Sequence, residues 1–426
     1  MAFRLPLALA CAILAASSVP AETVDVRAGR LIDPETGKVS TDQRIRIVDG
    51  KIASVGPWDS ASPSAKIVDW SGLTVLPGLI DLHTHIADGS LQNSDPIQPF
   101  KQSEAATILK AVPAARTMLK AGFTTVRDVG VYRGLTDVAL RDSINAGEIE
   151  GPRMFVAGGY ITTPGGGGEI DGLAPDFDVP TSFRIGVVRN PDEARDKARY
   201  LLDHGADFIK LIATGAVLAV GSQPGALELS PEEMKAACDE AKLRGSYCIA
   251  HAHGAEGIKA AIRAGARTIE HASYLDAEGI ALAKSHGVWL DMDIFNGDWI
   301  EEVGTKEGWP AEYLLKNRET TDIQRRGFAA AVKAGAKMTF GTDAAVYPYG
   351  LGARQFSYMV RYGMSPLQAI RSATSEAAGA LGKDGEVGTL RPGGWGDLVA
   401  VSGDPLTDVT TLEKIAGVVK GGELVD

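Results

Sequence analysis

Of the seven histidines in this 426-residue chain, five close short apolar runs. His83 and His85 end Asp81-Leu82-His83-Thr84-His85, His251 and His253 end Ile249-Ala250-His251-Ala252-His253, and His271 ends Ile269-Glu270-His271. In an extended strand, residues i and i+2 point to one face, so a His-x-His pair can offer two imidazoles to one metal ion. Neutral imidazole is the commonest protein ligand for zinc-like ions. One such pair would be read as incidental; two pairs with a further strand-end histidine point to a metal centre. His204 and His286 instead precede Gly205 and Gly287 at the ends of helical patterns, where a cation beside the last carbonyls is structural.

Lys210 is the second anomaly, because Asp207-Phe208-Ile209-Lys210-Leu211-Ile212 is apolar on both sides of it. An ordinary charged lysine there costs several kcal/mol to desolvate. Either its ammonium reaches an acid at the end of the strands, or the neutral amine reacts with CO2 to give a carbamate. The carbamate would turn a misplaced cation into an anionic bridge between two metal ions about 3.5–4 Å apart. Asp343 closes Phe340-Gly341-Thr342-Asp343, the last of the apolar runs. A carboxylate at that place can ligate a metal and take a proton from metal-bound water.

These residues need elements that converge on one point. Apolar runs occur near Leu79–His85, Thr124–Asp128, Met154–Ala157, Phe208–Ala213, Tyr247–Ala250, Thr268–Glu270, Val288–Met292 and Met338–Gly341. Helix-length amphipathic patterns lie between most of them, at Pro191–His204, Pro231–Arg244, Ile258–Ala264 and Thr320–Ala334 among others. Ser230-Pro231-Glu232-Glu233 supplies an N-cap, a first-turn proline and a capping-box glutamate. Eight strands alternating with helices predict an α/β fold, a (β/α)8 TIM barrel, which gathers its strand ends at one mouth. The alternative, an open doubly wound sheet, lacks a glycine fingerprint after its first strand. Both chain ends are β-rich, with an Asp49-Gly50 hairpin signal near the start. Residues 22–76 and 382–426 are therefore expected to form a composite β domain beside a barrel over 77–381.

Lys+Arg number 43 against Asp+Glu 54, a net charge of −11, and 45% of residues are hydrophobic. That composition is globular, and its acidic balance with no basic run speaks against a nucleic-acid partner. Arg4, the apolar run Leu5–Ala16 and the small residues ending at Ala21 read as a signal peptide over 1–21. An N-terminal membrane anchor is the alternative. The mature chain is then expected outside the cytoplasm, in a periplasm or secreted, with no stable membrane anchor. Its two cysteines, Cys238 on a helical pattern and Cys248 on a strand-like run, are expected as buried free thiols.

Over the whole mature chain the sequence resembles the amidohydrolase superfamily, in the imidazolonepropionase-like and prolidase-like metallo-dipeptidase branch that includes ochratoxin-hydrolysing amidohydrolases. The motifs that carry the resemblance are Gly29-Arg30-Leu31-Ile32-Asp33, Val75 to His85, Ile209-Lys210-Leu211, His251-Ala252-His253-Gly254, Glu270-His271, Gly341-Thr342-Asp343, Gly388 to Gly393 and Gly396-Asp397-Leu398-Val399. The resemblance implies a small β-sandwich beside the barrel and two divalent ions, with zinc foremost among Zn, Mn, Co and Fe. His83 and His85 would bind the more buried ion with Asp343, His251 and His271 the more exposed one, and carboxylated Lys210 both. His253 would hydrogen-bond the substrate carbonyl or the tetrahedral intermediate. A hydroxide bridging the ions would attack an amide carbonyl, with Asp343 passing its proton to the leaving nitrogen. One departure is the loop Thr163-Pro164-Gly165-Gly166-Gly167-Gly168-Glu169, which lacks the histidine of the Gly-Gly-His-Gly segment many relatives carry. It is glycine-rich enough to form a mobile rim.

The expected activity is hydrolysis of N-acyl amino acids or dipeptides, ochratoxin A to ochratoxin alpha and phenylalanine being one such reaction. The alternatives are a cyclic amide or lactone hydrolase, or a non-catalytic periplasmic binding protein on the same barrel. Expected substrate contacts are Arg354, Tyr347, Tyr349 and Arg133 for a carboxylate, with Phe295, Trp299, Val217 and Leu218 forming an apolar pocket. A homo-oligomer is expected, as relatives commonly form rings.

Overall fold

The computed structural model describes residues 22–426 apart from 62–63, 89–93, 171–172 and 175; the expected leader lies outside the described residues. Four strands open the chain: β1 (Thr23–Asp33), β2 (Lys38–Val48), β3 (Lys51–Pro57) and β4 (Lys66–Pro77). β2 and β3 turn at Asp49-Gly50, whose φ values of 48° and 76° make the primed turn that this dipeptide predicts. β1 and β4 run parallel with an irregularity at Gly29, where a Cβ would overlap the Ser71 carbonyl oxygen. Only glycine lets the two backbones meet so closely.

The central strands are β5 (Leu79–Thr84), β6 (Phe123–Asp128), β7 (Arg153–Val156), β8 (Tyr160–Ile161), β9 (Ile209–Ile212), β10 (Cys248–Ala252), β11 (Thr268–His271), β12 (Trp289–Asp291) and β13 (Lys337–Thr339). They form two parallel sheets, β5-β6-β7 and β8-β9-β10-β11-β12-β13. Each of the eight apolar runs overlaps a strand, and the third, β7, is followed by the two-residue β8, which lies outside the expected runs. The Asp207 amide bonds the Val156 carbonyl at 2.8 Å and Tyr160 pairs with Lys210, so both strands run beside the chain of β9. At the other end, the Leu82 amide bonds Phe340 O at 2.9 Å and the Asp343 amide bonds His83 O at 2.8 Å. The chain of β5 thus lies beside the chain leaving β13. β5, β6, β9, β10 and β11 are buried throughout, as parallel strands covered on both faces must be.

β14 (Leu398–Val401), β15 (Ile415–Lys420) and β16 (Glu423–Leu424) rejoin the first four strands. The result is one seven-stranded sheet, β16-β15-β14-β4-β1-β2-β3, over a core that includes Val26, Ile45, Ile47, Trp70 and Ala400. Helices Pro191–Asp203, Pro231–Leu243 and Ala255–Ala264 lie where the patterns place them. Both halves of the Ser230–Glu233 capping box are present. The helix expected from Thr320 begins earlier, at Ala311, because Gly308 in a left-handed conformation ends the preceding turn and Pro310 starts a new one. The added turns carry Tyr313, Lys316 and Asn317. No described helix is long and apolar enough to cross a membrane.

The cysteine expectation is corrected: Cys238 and Cys248 form a disulfide. The helix Pro231–Leu243 returns through residues 244–247 directly into β10, which sets the two Cα atoms 5.2 Å apart, within disulfide range. Replacing both cysteines with alanine is expected to lower the unfolding free energy by about 2–3 kcal/mol, the loop-closure value for so short a loop. Denaturant titration reads that difference, and an unchanged midpoint would show that the cross-link adds nothing.

Candidate metal centre

The loops leaving the carboxyl ends of the parallel strands enclose a cavity of about 170 Å3. His83, His85, Lys210, His251, His253, His271 and Asp343 all line it. The residues singled out from their spacing therefore converge, although they span more than half the chain.

Each imidazole is oriented through one nitrogen. His83 Nδ1 lies 3.1 Å from Glu270 Oε2, and His85 Nδ1 lies 2.8 Å from the Gly130 carbonyl. His271 Nδ1 lies 2.9 Å from Asp293 Oδ1, and His251 Nε2 lies 3.3 Å from the Gly215 carbonyl. The other nitrogens of His83 and His85 turn to Asp343 Oδ1, at 3.4 and 3.2 Å. Fixing the outer nitrogen on a carboxylate or carbonyl is how proteins aim an imidazole lone pair at a metal. His253 Nδ1 lies 2.7 Å from Ser273 Oγ. Two overlapping sets, His251/His253/His271 and His83/His271/Asp343, have ligand atoms within 4.8 Å of one another. His253, expected to serve the substrate, is thus also within ligating reach of its neighbours.

Electrostatics suit the same use. Burial first, and neighbouring positive charge second, hold His83, His251 and His253 well below the usual histidine range, so their lone pairs are free near neutral pH. Burial lowers Lys210 to about 8, against the opposing pull of Glu270 and Asp343. Burial raises Asp343, but the hydrogen bond from His85 and the charges of His85, His271 and Lys210 outweigh it and keep the carboxylate ionised. His271 and Asp343 also adopt left-handed backbone, φ 66° and 55°, where their strands give way to loops. Such conformations are costly for non-glycine residues and gather at functional sites.

Beneath the histidines lies a layer that spacing does not reveal. Glu270, fully buried, accepts from Arg127 Nη2 at 3.0 and 3.2 Å as well as meeting His83, and Arg127 Nε donates to the Leu82 carbonyl at 2.7 Å. Asp81 accepts from Thr342 Oγ1 at 2.5 Å and from the His83 amide at 3.1 Å. Gln324 joins the His271 carbonyl to Asp293, at 3.0 Å each. Of these, only Glu270 carries a local signal, as the residue before His271.

Of the expected substrate contacts, Val217 and Leu218 line the cavity; Arg354, Tyr347, Tyr349, Arg133 and Phe295 do not. Arg354 is exposed at the start of its helix. Arg133 donates to the Gln102 carbonyl at 3.0 Å and lies over Phe183. Tyr347 packs on Phe295 with ring centres 5.0 Å apart, and Tyr349 donates to the His85 carbonyl at 3.3 Å. Trp299 also packs near Tyr347. The glycine-rich loop expected as a mobile rim is pinned: Gly167 N bonds Glu228 Oε2 at 2.8 Å and Gly168 N bonds Thr162 Oγ1 at 3.3 Å. His204 and His286 cap helix ends, as expected, on the Tyr200 and Leu282 carbonyls.

Residues 74–425 match the family described as Amidohydrolase family. The ochratoxinase of Aspergillus niger is 30% identical over 443 aligned positions, covering 97% of this chain and 88% of that protein. A solved Xaa-Pro dipeptidase with methionine bound in its active site superposes with a TM-score of 0.88 at 35% identity, over 95% of this chain and 99% of that one. A prolidase complexed with N-methylphosphonate-L-proline gives 0.87 at 28% identity, over 94% and 99%.

Arg127→Met strands the Glu270 carboxylate without its cation. It is expected to cost about 3–5 kcal/mol of stability and about 10–100-fold in metal affinity through the released His83 ring. Denaturation and competition with a chelator measure the two; a variant with wild-type values in both would remove the buried pair from the site.

Proposed function

The chain belongs to the amidohydrolase family and is a hydrolase acting on carbon–nitrogen bonds, and from that premise we propose that it cleaves the amide of N-acyl amino acids or dipeptides at a two-metal centre. The observation that carries this reading is the set of imidazoles whose outer nitrogens are tied to protein acceptors while Lys210 and Asp343 face the same cavity. That donor set fits divalent ions: imidazoles held neutral by burial at His83 and His251, imidazoles at His85 and His271 where, against burial, Asp343 and Asp293 strengthen the hold on a proton that a cation would replace, one ionised carboxylate, and a lysine amine whose affinity for its proton is reduced by burial. His83, His85 and Asp343 would hold one ion, and His251 and His271 the second. Lys210 would hold both after its neutral Nζ adds to CO2, releasing a proton and leaving a carbamate. Bound there, the ions supply a hydroxide nucleophile near neutral pH and polarise the amide carbonyl.

The chain's own groups do the remainder. Asp343 accepts the nucleophile's proton on a carboxylate oxygen and delivers it to the leaving nitrogen. His253 Nδ1 meets Ser273 Oγ, and in the tautomer in which Ser273 is the donor the ring would carry its proton on Nε2 and give it in a hydrogen bond to the carbonyl oxygen of the substrate. Val217 and Leu218 offer an apolar wall to the side chain of the released amino acid. The parallel strands are read as one closed (β/α)8 barrel over 77–381, and the seven-stranded sheet as the small β-sandwich of 22–76 and 382–426. The protein is also proposed to be exported after loss of residues 1–21, a reading supported by its disulfide, since such bonds persist in oxidising compartments. A homo-oligomer completes the proposal. The relatives' names support the substrate class: an ochratoxinase, a Xaa-Pro dipeptidase and a prolidase.

Zinc-loaded protein is expected to release a free C-terminal amino acid from members of a panel of N-acyl amino acids, dipeptides and ochratoxin A. Lys210→Ala is expected to lower kcat by about a thousandfold or more, roughly 4 kcal/mol of lost transition-state stabilisation. Silence across the panel with two ions bound per chain would favour cyclic amides or lactones, and undiminished turnover by Lys210→Ala would remove Lys210 from the centre.

A further inference from the structure

Val217 and Leu218 sit on the long loop after β9, which has no helix of its own and one isolated bridge, Thr214 to Leu227. Its base is closed by backbone: the Gly215 amide donates to Ala226 O at 3.1 Å, and a Cβ on Gly215 would overlap the Gln223 backbone. The remainder is held from outside. Lys316, 2% exposed on the helix Ala311–Lys333, donates from Nζ to the Ala219 carbonyl, to Ser222 O at 3.0 Å and to Glu312 Oε1 at 3.0 Å. All three ammonium protons are thereby matched, which is what permits a buried lysine there. Glu312 Oε1 also accepts the Gly221 amide at 3.0 Å. On the inner side, Ser222 Oγ accepts from Ala216 N at 2.9 Å and donates to Glu228 Oε1 at 2.8 Å. Glu228 in turn holds Gly167, itself part of the cavity wall. The loop's first carbonyl, Gly215 O, meets His251 Nε2.

We propose that Lys316 is a positioning residue whose ammonium clamps residues 215–223 against the helix Ala311–Lys333 and thereby fixes the Val217–Leu218 wall that receives the substrate side chain. The proposal rests on the reading of this cavity as the amide-hydrolysing site. Lys316 does not line the cavity, so it acts through the loop and not on reacting atoms. An apolar wall released from its clamp recognises the side chain poorly, while the metal-ligand residues stay where they are. Loss of uniform binding appears in KM and spares kcat.

The test uses full-length zinc-loaded protein, Lys316→Met, which keeps the aliphatic stem, and Glu312→Ala, whose side chain is 34% exposed and leaves Lys316 its two carbonyl acceptors. Three readings are taken: zinc per chain, KM and kcat on N-acetyl-phenylalanine and N-acetyl-glycine, and the rate of chymotrypsin cleavage after Leu218. Expected for Lys316→Met are unchanged zinc, a KM for N-acetyl-phenylalanine raised about tenfold with kcat altered less than about threefold, and cleavage at Leu218 at least about tenfold faster, as for a segment opened locally. The KM for N-acetyl-glycine should move little, and Glu312→Ala should show the same pattern more weakly. Wild-type cleavage rates and wild-type KM in both variants would overturn the clamp, as would loss of zinc with a fall in kcat alone. If Lys316→Met does not fold, Glu312→Ala decides by the same criteria. Wild-type protein inert on both substrates would count against the amide-hydrolase reading, and cleavage at Leu218 would still judge the clamp.

Discussion

A carboxylate with no exposure to water lies beneath the imidazoles, and the arrangement above it depends on how its charge is met. Glu270 accepts both contacts from Arg127 and faces His83 Nδ1. Arg127 comes from β6, Glu270 from β11 and His83 from β5, so the group ties three strands that are distant in sequence. An unpaired buried carboxylate would cost several kcal/mol or take up a proton. Arg127 Nη2 donates to Glu270, whose Oε2 meets His83 Nδ1, and this leaves His83 Nε2 toward Asp343. The orientation of one imidazole is thus set by an ion pair formed across the strands.

The same dryness acts on every group in the cavity. It disfavours imidazolium at His83, His251 and His253 and weakens the hold of Lys210 on its proton, while Asp343 stays ionised among positive neighbours. Such a collection is poorly satisfied alone: the lone pairs of His83, His251 and His253 share one cavity with the Asp343 carboxylate, and only His85, His271 and Lys210 offer it positive charge. Divalent cations resolve that imbalance, and this is the physical basis for the proposed two-metal centre. The second ring of contacts, from Asp293, Gly130, Gly215 and Ser273, fixes the rings before any ion arrives.

The strand-end histidines and Asp343 were legible because each closes a short apolar run, and Lys210 because it is a charged residue inside one; parallel strands deliver such residues to one place. The capping box at Ser230 and the Asp49-Gly50 turn were legible because their signals are local. Arg127 gave no sign: its partner is 143 residues away in the other parallel sheet, and only the packing of the two sheets brings them together. The disulfide escaped for a related reason, since a helix and a strand are neighbours only once the chain between them has turned back. Arginines and tyrosines proposed for the substrate mostly face elsewhere, because nothing in a loop sequence says which side of the loop meets the cavity. Lys316 lay in helical turns that the pattern placed outside the helix.

The measurement that bears most directly on the two-metal centre is anomalous X-ray diffraction at the zinc edge from crystals of zinc-loaded protein. Two peaks are predicted, one among His83, His85 and Asp343 and one between His251 and His271, with electron density extending from Lys210 Nζ between them. A single peak within His251, His253 and His271, with Lys210 an unmodified amine, would contradict it.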